Sequence, residues 1–123
     1  MAMFNENNDI EKDSENNNVV LCGANSYTQK FYFNEQFNNL PDSIKDELKA
    51  MCVIFTEDIG GILTLEYNEE CELEFKVRTD EHDYLFDEIG CGLRIKDLQT
   101  KKRELLEALE LYYKTFNGKD ITE

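Results

Sequence analysis

The stretch ILTLEYNEECELEFKVRT, residues 62–79, decides the fold. Leu63, Leu65 and Tyr67, then Cys71, Leu73, Phe75 and Val77, fall on one side of an extended chain. Thr64, Glu66, Glu72, Glu74, Lys76 and Arg78 fall on the other. Successive side chains of a strand point to opposite faces, so alternation this strict describes a sheet with one buried and one hydrated face. Antiparallel sheets allow that arrangement and parallel ones rarely do. The short link NEE at 68–70 makes the two runs a hairpin.

The text on either side extends the pattern. Upstream, VVLC at 19–22 is a short apolar run of strand type, and GANS at 23–26 supplies turn residues. In YTQKFYFN, residues 27–34, Tyr27, Phe31 and Phe33 alternate with Thr28, Lys30 and Tyr32, which predicts a second strand with the latter three toward water. After NNLPDS at 38–43, Ile44, Leu48, Met51, Cys52, Phe55 and Ile59 recur at steps of three and four, the stripe of an amphipathic helix closed by Gly60 and Gly61. Lys45, Asp46, Glu47 and Lys49 fall on its wet side. Downstream, Leu98, Leu105, Leu109, Tyr112 and Phe116 form another helical stripe, flanked by Leu106 and Tyr113. Asp97 stands as its cap, Glu110 and Lys114 as a supporting pair, and Gly118 at its end. The order β-β-α-β-β-α-α predicts an α+β fold: a four-stranded antiparallel sheet with helices packed on one face. Residues 19–118 form one domain, preceded by an acidic, Asn-rich disordered tail over 1–18 and followed by a short tail over 119–123.

The formal charge of −14 comes from 27 acids against 13 bases. Such a field repels phosphate backbones and anionic lipid, which removes nucleic acid and membrane as expected partners and favours basic ones. Four cysteines at 22, 52, 71 and 91 contain no CxxC pair, and one histidine is too few to complete a zinc set with them. No secretory pattern and no apolar run of membrane-spanning length occurs, so a cytoplasmic protein with free thiols is expected. Cys22, Cys52 and Cys71 read as small buried hydrophobes. Cys91, between Gly90 and Gly92, is the thiol expected to be accessible, with no base beside it to form a thiolate.

The stretch TDEHDYLFDEIGCG, residues 79–92, gathers Asp80, Glu81, Asp83, Asp87 and Glu88 around His82, the single histidine. A helical turn and a half over 82–89 would put Leu85, Phe86 and Ile89 inward and Asp83, Asp87 and Glu88 outward. An EF-hand loop would need oxygen ligands at alternate positions around a glycine turn, where Leu85 and Phe86 stand instead. Two chemical readings remain beside the solvated helix: a weak divalent-cation site from Asp80, His82, Asp83 and Asp87, and a pH response of His82 among carboxylates. No Ser/His/Asp or Cys/His set and no glycine-rich phosphate cradle can be assembled, so neither catalysis nor a cofactor is expected.

Charge is unevenly spread. Residues 66–88 hold ten acids and two bases, whereas RIKDLQTKKR at 94–103 holds five bases and one acid. An acidic flank from the hairpin and the 80–88 segment is therefore expected, with a basic spot at the start of the last helix. The expected function is a non-catalytic module binding another, basic protein through Glu66, Glu72, Glu74, Asp83 and Asp87, with Tyr32 as an aromatic anchor. The alternative is a divalent-cation or small-ligand sensor built on residues 80–88 and His82. Two open sheet edges also permit a homodimer.

The segments QKFYFNEQFNNLPDSIKDEL (29–48), GGILTLEYN (60–68) and YLFDEIGCGL (84–93) resemble a family of small acidic proteins from clostridia-type bacteria, known as a domain of unknown function. The resemblance spans about residues 19 to 116 and rests on core and turn residues, so it implies the fold and carries no site residue. The layout of hairpin, LP, helix, LTLEY hairpin and terminal helices is also similar to that of bacterial toxin-immunity proteins, which implies an acidic chain that covers a toxin. This chain departs from that group in having no tryptophan.

Overall fold

The computed structural model describes residues 17–117. Residues 1–16 of the tail expected over 1–18, the terminating Gly118 and the tail over 119–123 lie outside the described residues. Strands β1 (Val19–Asn25) and β2 (Lys30–Phe33) are followed by a short 3-10 turn, Glu35–Phe37, and helix α1 (Asp42–Ile59). Strands β3 (Ile62–Tyr67) and β4 (Leu73–Arg78) precede helices α2 (Glu88–Lys101) and α3 (Arg103–Asn117). The strands form one antiparallel sheet in the order β2-β1-β3-β4, which is the expected architecture.

The core lies between the sheet and the helices. Leu21, Cys22, Leu63, Leu65 and Tyr67 from the sheet meet Leu48, Met51, Cys52 and Phe55 from α1 and Leu106 and Leu109 from α3. Each such side chain, fully buried, contributes about 1.5–3 kcal/mol relative to exposure. Tyr67 ties α3 down in two ways. Its ring stacks on Tyr113 at 3.9 Å between centroids, and its hydroxyl donates to the Leu109 carbonyl at 2.9 Å. Glu110 accepts from the Leu73 amide at 2.9 Å, fixing the start of β4 against the same helix.

The sheet's second face differs from the hydrated surface expected for it. Thr64 and Glu66 have no exposure at all, and Tyr32, expected in water, keeps 8%. The cause is a bulge in β1. Val20 pairs with Glu66 and Cys22 with Leu65, so two residues that regular pleating would place on one face lie on opposite faces. Val20 then packs with Tyr32 on the outer face. Gly23 stands between Tyr32 and Thr64 in the cross-strand row. A Cβ there would stand 2.7 Å from the Leu63 carbonyl oxygen, so the row closes only over glycine.

Four local expectations are also corrected. Strand β1 runs through Asn25, and the turn falls at 26–29 with Gln29 at φ 58°. Cys71 is buried, yet it sits in the hairpin turn at φ 67°, where Asn68 organises the backbone by accepting from the Glu70 and Glu72 amides. Residues 79–87 are turns rather than helix. Finally, Asp97 lies inside α2; the cap is Asp87, whose Oδ1 accepts from the Gly90 amide at 3.0 Å.

Candidate functional site

On the outer sheet face Glu66 is the centre of a buried polar network. One carboxylate oxygen accepts from the Thr64 hydroxyl at 2.7 Å and lies 3.6 Å from the Arg78 guanidinium; the other accepts from the Asn18 amide at 3.0 Å. Asn18, read in the sequence as tail, is buried there and also donates to Glu74 at 3.2 Å. Hydrogen bonds from Asn68 and Asn18, with Lys76 at 3.6 Å, hold the Glu74 carboxyl below its ordinary range against partial burial. A buried carboxylate is tolerated when its lone pairs are filled in this way. The network locks β3 and β4 to the chain just before β1. It withdraws Glu66 and Tyr32 from any partner, and of the expected sheet-face acids Glu72 is exposed and Glu74 half-buried.

The acids of residues 80–88 are organised by a tyrosine. The Tyr27 hydroxyl donates to Asp83 at 2.6 Å and accepts from the Asp80 amide at 3.0 Å, pinning the loop to the β1–β2 turn. Partial burial and the Asp83 carboxylate push the Tyr27 phenol up, which keeps it the donor. Asp80 accepts from the His82 amide at 2.8 Å, while the His82 ring is exposed, 3.5 Å from Asp80 and 3.9 Å from Glu81. Among the described residues no three His, Cys, Asp or Glu side chains come together to hold a metal ion, so Asp80, His82, Asp83 and Asp87 form no cation set.

A single apolar side chain seats this segment. The half-buried Phe86 ring lies over the α1–β3 turn, where a Cβ on Gly61 would stand 3.2 Å from it. Leu85 and Ile89, expected to point inward with Phe86, are 94% and 78% exposed, and Tyr84 and Leu93 are 82% and 65% exposed. The inner side of α2 is formed instead by Cys91, Ile95 and Leu98. Residues 84–93 thus present four large apolar side chains to solvent, in a segment that carries Asp87 and Glu88 and follows Asp80, Glu81 and Asp83 in the chain.

The thiols offer little chemistry. All four are free and buried. Cys91, expected to be accessible, keeps 6% of its surface, and burial followed by Asp87 and Glu88 pushes its thiol up, away from thiolate. Cys22 and Cys52 lie 3.9 Å apart in the core, and that contact with burial raises the Cys22 thiol. The basic run lies along α2 rather than at the start of the last helix, so its charges suit the helix C-terminus. Arg94 pairs with Asp58 at 2.7 Å, Lys101 with Asp97 at 3.2 Å, and Lys102 with Glu47 at 3.0 Å.

A family model described as a family of unknown function, DUF6145, matches residues 18–120. The chain belongs to that family. The DUF6145 match begins at Asn18, the first residue of the buried Glu66 network, and takes in the whole sheet and all three helices. Comparison with curated proteins and with solved structures gave no match.

Proposed function

We propose that this DUF6145 chain is a non-catalytic protein-binding module that engages a basic, apolar-faced partner through residues 80–93. The observation that carries the reading is the exposure of Tyr84, Leu85, Ile89 and Leu93 in a segment that carries five carboxylates. Contiguous apolar side chains rimmed by charge are typical of interfaces, in which the centre supplies affinity and the rim supplies orientation and rate. Glu72, in the hairpin turn at the other end of β4, stands apart from this surface. Neutralisation of a basic toxin, in keeping with the immunity-like layout, is one form of this role. The free thiols support a cytoplasmic setting, and no helix among the described residues is long and apolar enough to cross a membrane.

The test compares capture by the native chain with capture by a Leu85→Ser/Ile89→Ser double variant and by a Glu69→Gln/Glu70→Gln control at the hairpin tip. A specific protein retained by the native and control chains, lost from the double variant and eluted as salt rises supports the reading. Retention unaffected by the Leu85 and Ile89 changes refutes it.

A further inference from the structure

The partner surface just described has a feature that points to one occupant. Acidic residues 80–88 stand at one end of the exposed apolar stripe, and the basic run 94–103 follows at the other. A complementary surface therefore needs an apolar stripe with a basic end and an acidic end, set in the opposite direction. Helix α2 has that composition itself.

Glycine at position 92 gives a second, independent indication. It is exposed in the interior of α2, beside Ile89 and Leu93 in the helical wheel, and a Cβ built on it would meet nothing within 4 Å. Among the described residues nothing requires glycine there, although glycine in a helix interior costs about 0.5–1 kcal/mol relative to alanine. The missing side chain matters only to something outside the chain that approaches the helix backbone closely. Gly90 differs, since a Cβ there would stand 2.5 Å from the capping Asp87 carboxylate.

We infer that the surface on α2 is an isologous dimer interface, in which the partner, apolar-faced and basic only along residues 94–103, is a second copy of this chain, packed antiparallel across a two-fold axis near Gly92. The inference rests on the reading of residues 80–93 as a protein-binding surface and names its occupant. About such an axis Ile89 of each copy packs against Leu93 of the other, and Glu88, four residues before Gly92, faces Lys96, four residues after it. Beyond the helix ends, the 80–87 loop of each copy lies toward Arg103 of the other, since Lys101 and Lys102 already pair with Asp97 and Glu47. The charge of −14 on each copy opposes association at long range. At physiological salt, however, charges more than about 8 Å apart are largely screened, whereas facing charges at a partly buried contact are not.

The experiment is sedimentation equilibrium on the full chain from micromolar to millimolar concentration, with three variants. The native chain is expected to reach the mass of a dimer. Gly92→Leu, which fills the close approach, is expected to weaken association at least tenfold, with circular dichroism confirming that the helices remain. Lys96→Glu/Arg103→Glu and Glu81→Lys/Glu88→Lys are each expected to be monomeric alone and to form a heterodimer when mixed, because the exchange restores both charged contacts. Recovery on mixing is a result that misfolded variants cannot mimic. A native chain that stays monomeric throughout overturns the dimer. If that monomer still captures another protein through Leu85 and Ile89, only the identity of the occupant fails; if capture ignores those residues, the binding surface fails with it. A dimer unaffected by Gly92→Leu and by both charge variants forms elsewhere, which also overturns the inference.

Discussion

Replacing Glu66 tests the most unexpected part of the fold, a carboxylate with 1% side-chain exposure on the sheet face away from the helices. It accepts from Thr64 at 2.7 Å and Asn18 at 3.0 Å and faces Arg78 at 3.6 Å. Hydrogen bonds to a charged group are worth about 1.5–3 kcal/mol each, but burying the carboxylate costs several kcal/mol, so the intact network contributes little net stability. Removal is different. Glu66→Ala leaves the Thr64 hydroxyl and the Asn18 amide without their acceptor at about 1–3 kcal/mol each, partly offset by the carboxylate's own desolvation. Arg78, whose side chain is 29% exposed while its Nη1 is buried, also loses the charge it faces. The expected destabilisation is about 3 kcal/mol for Glu66→Ala and about half that for Glu66→Gln, which keeps one acceptor and the shape. Urea unfolding followed by circular dichroism reads both, with m unchanged if the native state stays compact. An Asn18→Ala cycle with Glu66→Ala should show coupling of about 1 kcal/mol. Glu66→Ala within about 0.5 kcal/mol of the native chain would show that the face is not locked in this way.

Other consequences can be measured separately. Tyr27→Phe removes the hydroxyl shared by Asp83 and the Asp80 amide. Global stability should fall by about 0.5–1 kcal/mol, and hydrogen exchange at Asp80 should accelerate well beyond that of strand amides. Asp87→Ala deletes the α2 cap and should cost about 1 kcal/mol in thermal unfolding, whereas Asp97→Ala, inside the helix, should cost less. Ile95→Ala, on the packed side of α2, should lose about 2 kcal/mol; Ile89→Ala, at 78% exposure, should stay within about 0.5 kcal/mol in the dilute chain. Glu74, whose folded carboxyl lies below its ordinary range, contributes stability that is complete above that range and is lost as pH falls through the lowered value. Glu74→Gln should therefore flatten the acid limb of a stability–pH curve.

The parts of the fold legible in the sequence were those decided by one element's own pattern. Ile44, Leu48, Met51, Cys52, Phe55 and Ile59 describe α1 unaided, and Leu63, Leu65 and Tyr67 do the same for the inner face of β3. The fate of Glu66 was not available locally. Alternation says that Glu66 faces away from Leu65, but not whether that other face is covered. Its cover depends on a bulge two strands from β4, on glycine at position 23 and on an asparagine 48 residues earlier. The start of α2 was obscured for another reason. Gly90 and Gly92 lower helix propensity over its first turns, so Asp97 read as a cap in place of Asp87.

Helix α2 also shows why a hydrophobic period identifies a face without identifying what covers it. Its sequence carries two apolar stripes at helical spacing: Cys91, Ile95 and Leu98 on one side, and Ile89 and Leu93 on the other. Both obey the rule that makes a helix amphipathic, and the pair Ile89 and Leu93 is the one in water. A helix resting on a single layer can bury one stripe, and the fold supplies that layer through the first set. In α3, Leu106 and Leu109 are buried and the neighbouring Tyr112 and Tyr113 pack on the core, so its main stripe is satisfied within the chain. The second stripe of α2 has no such partner among the described residues, and the nearby carboxylates and lysines restrict what can cover it. A surface with apolar centre, acidic beginning and basic end discriminates by charge order as well as by hydrophobicity, since a partner docked in the reverse direction would oppose like charges.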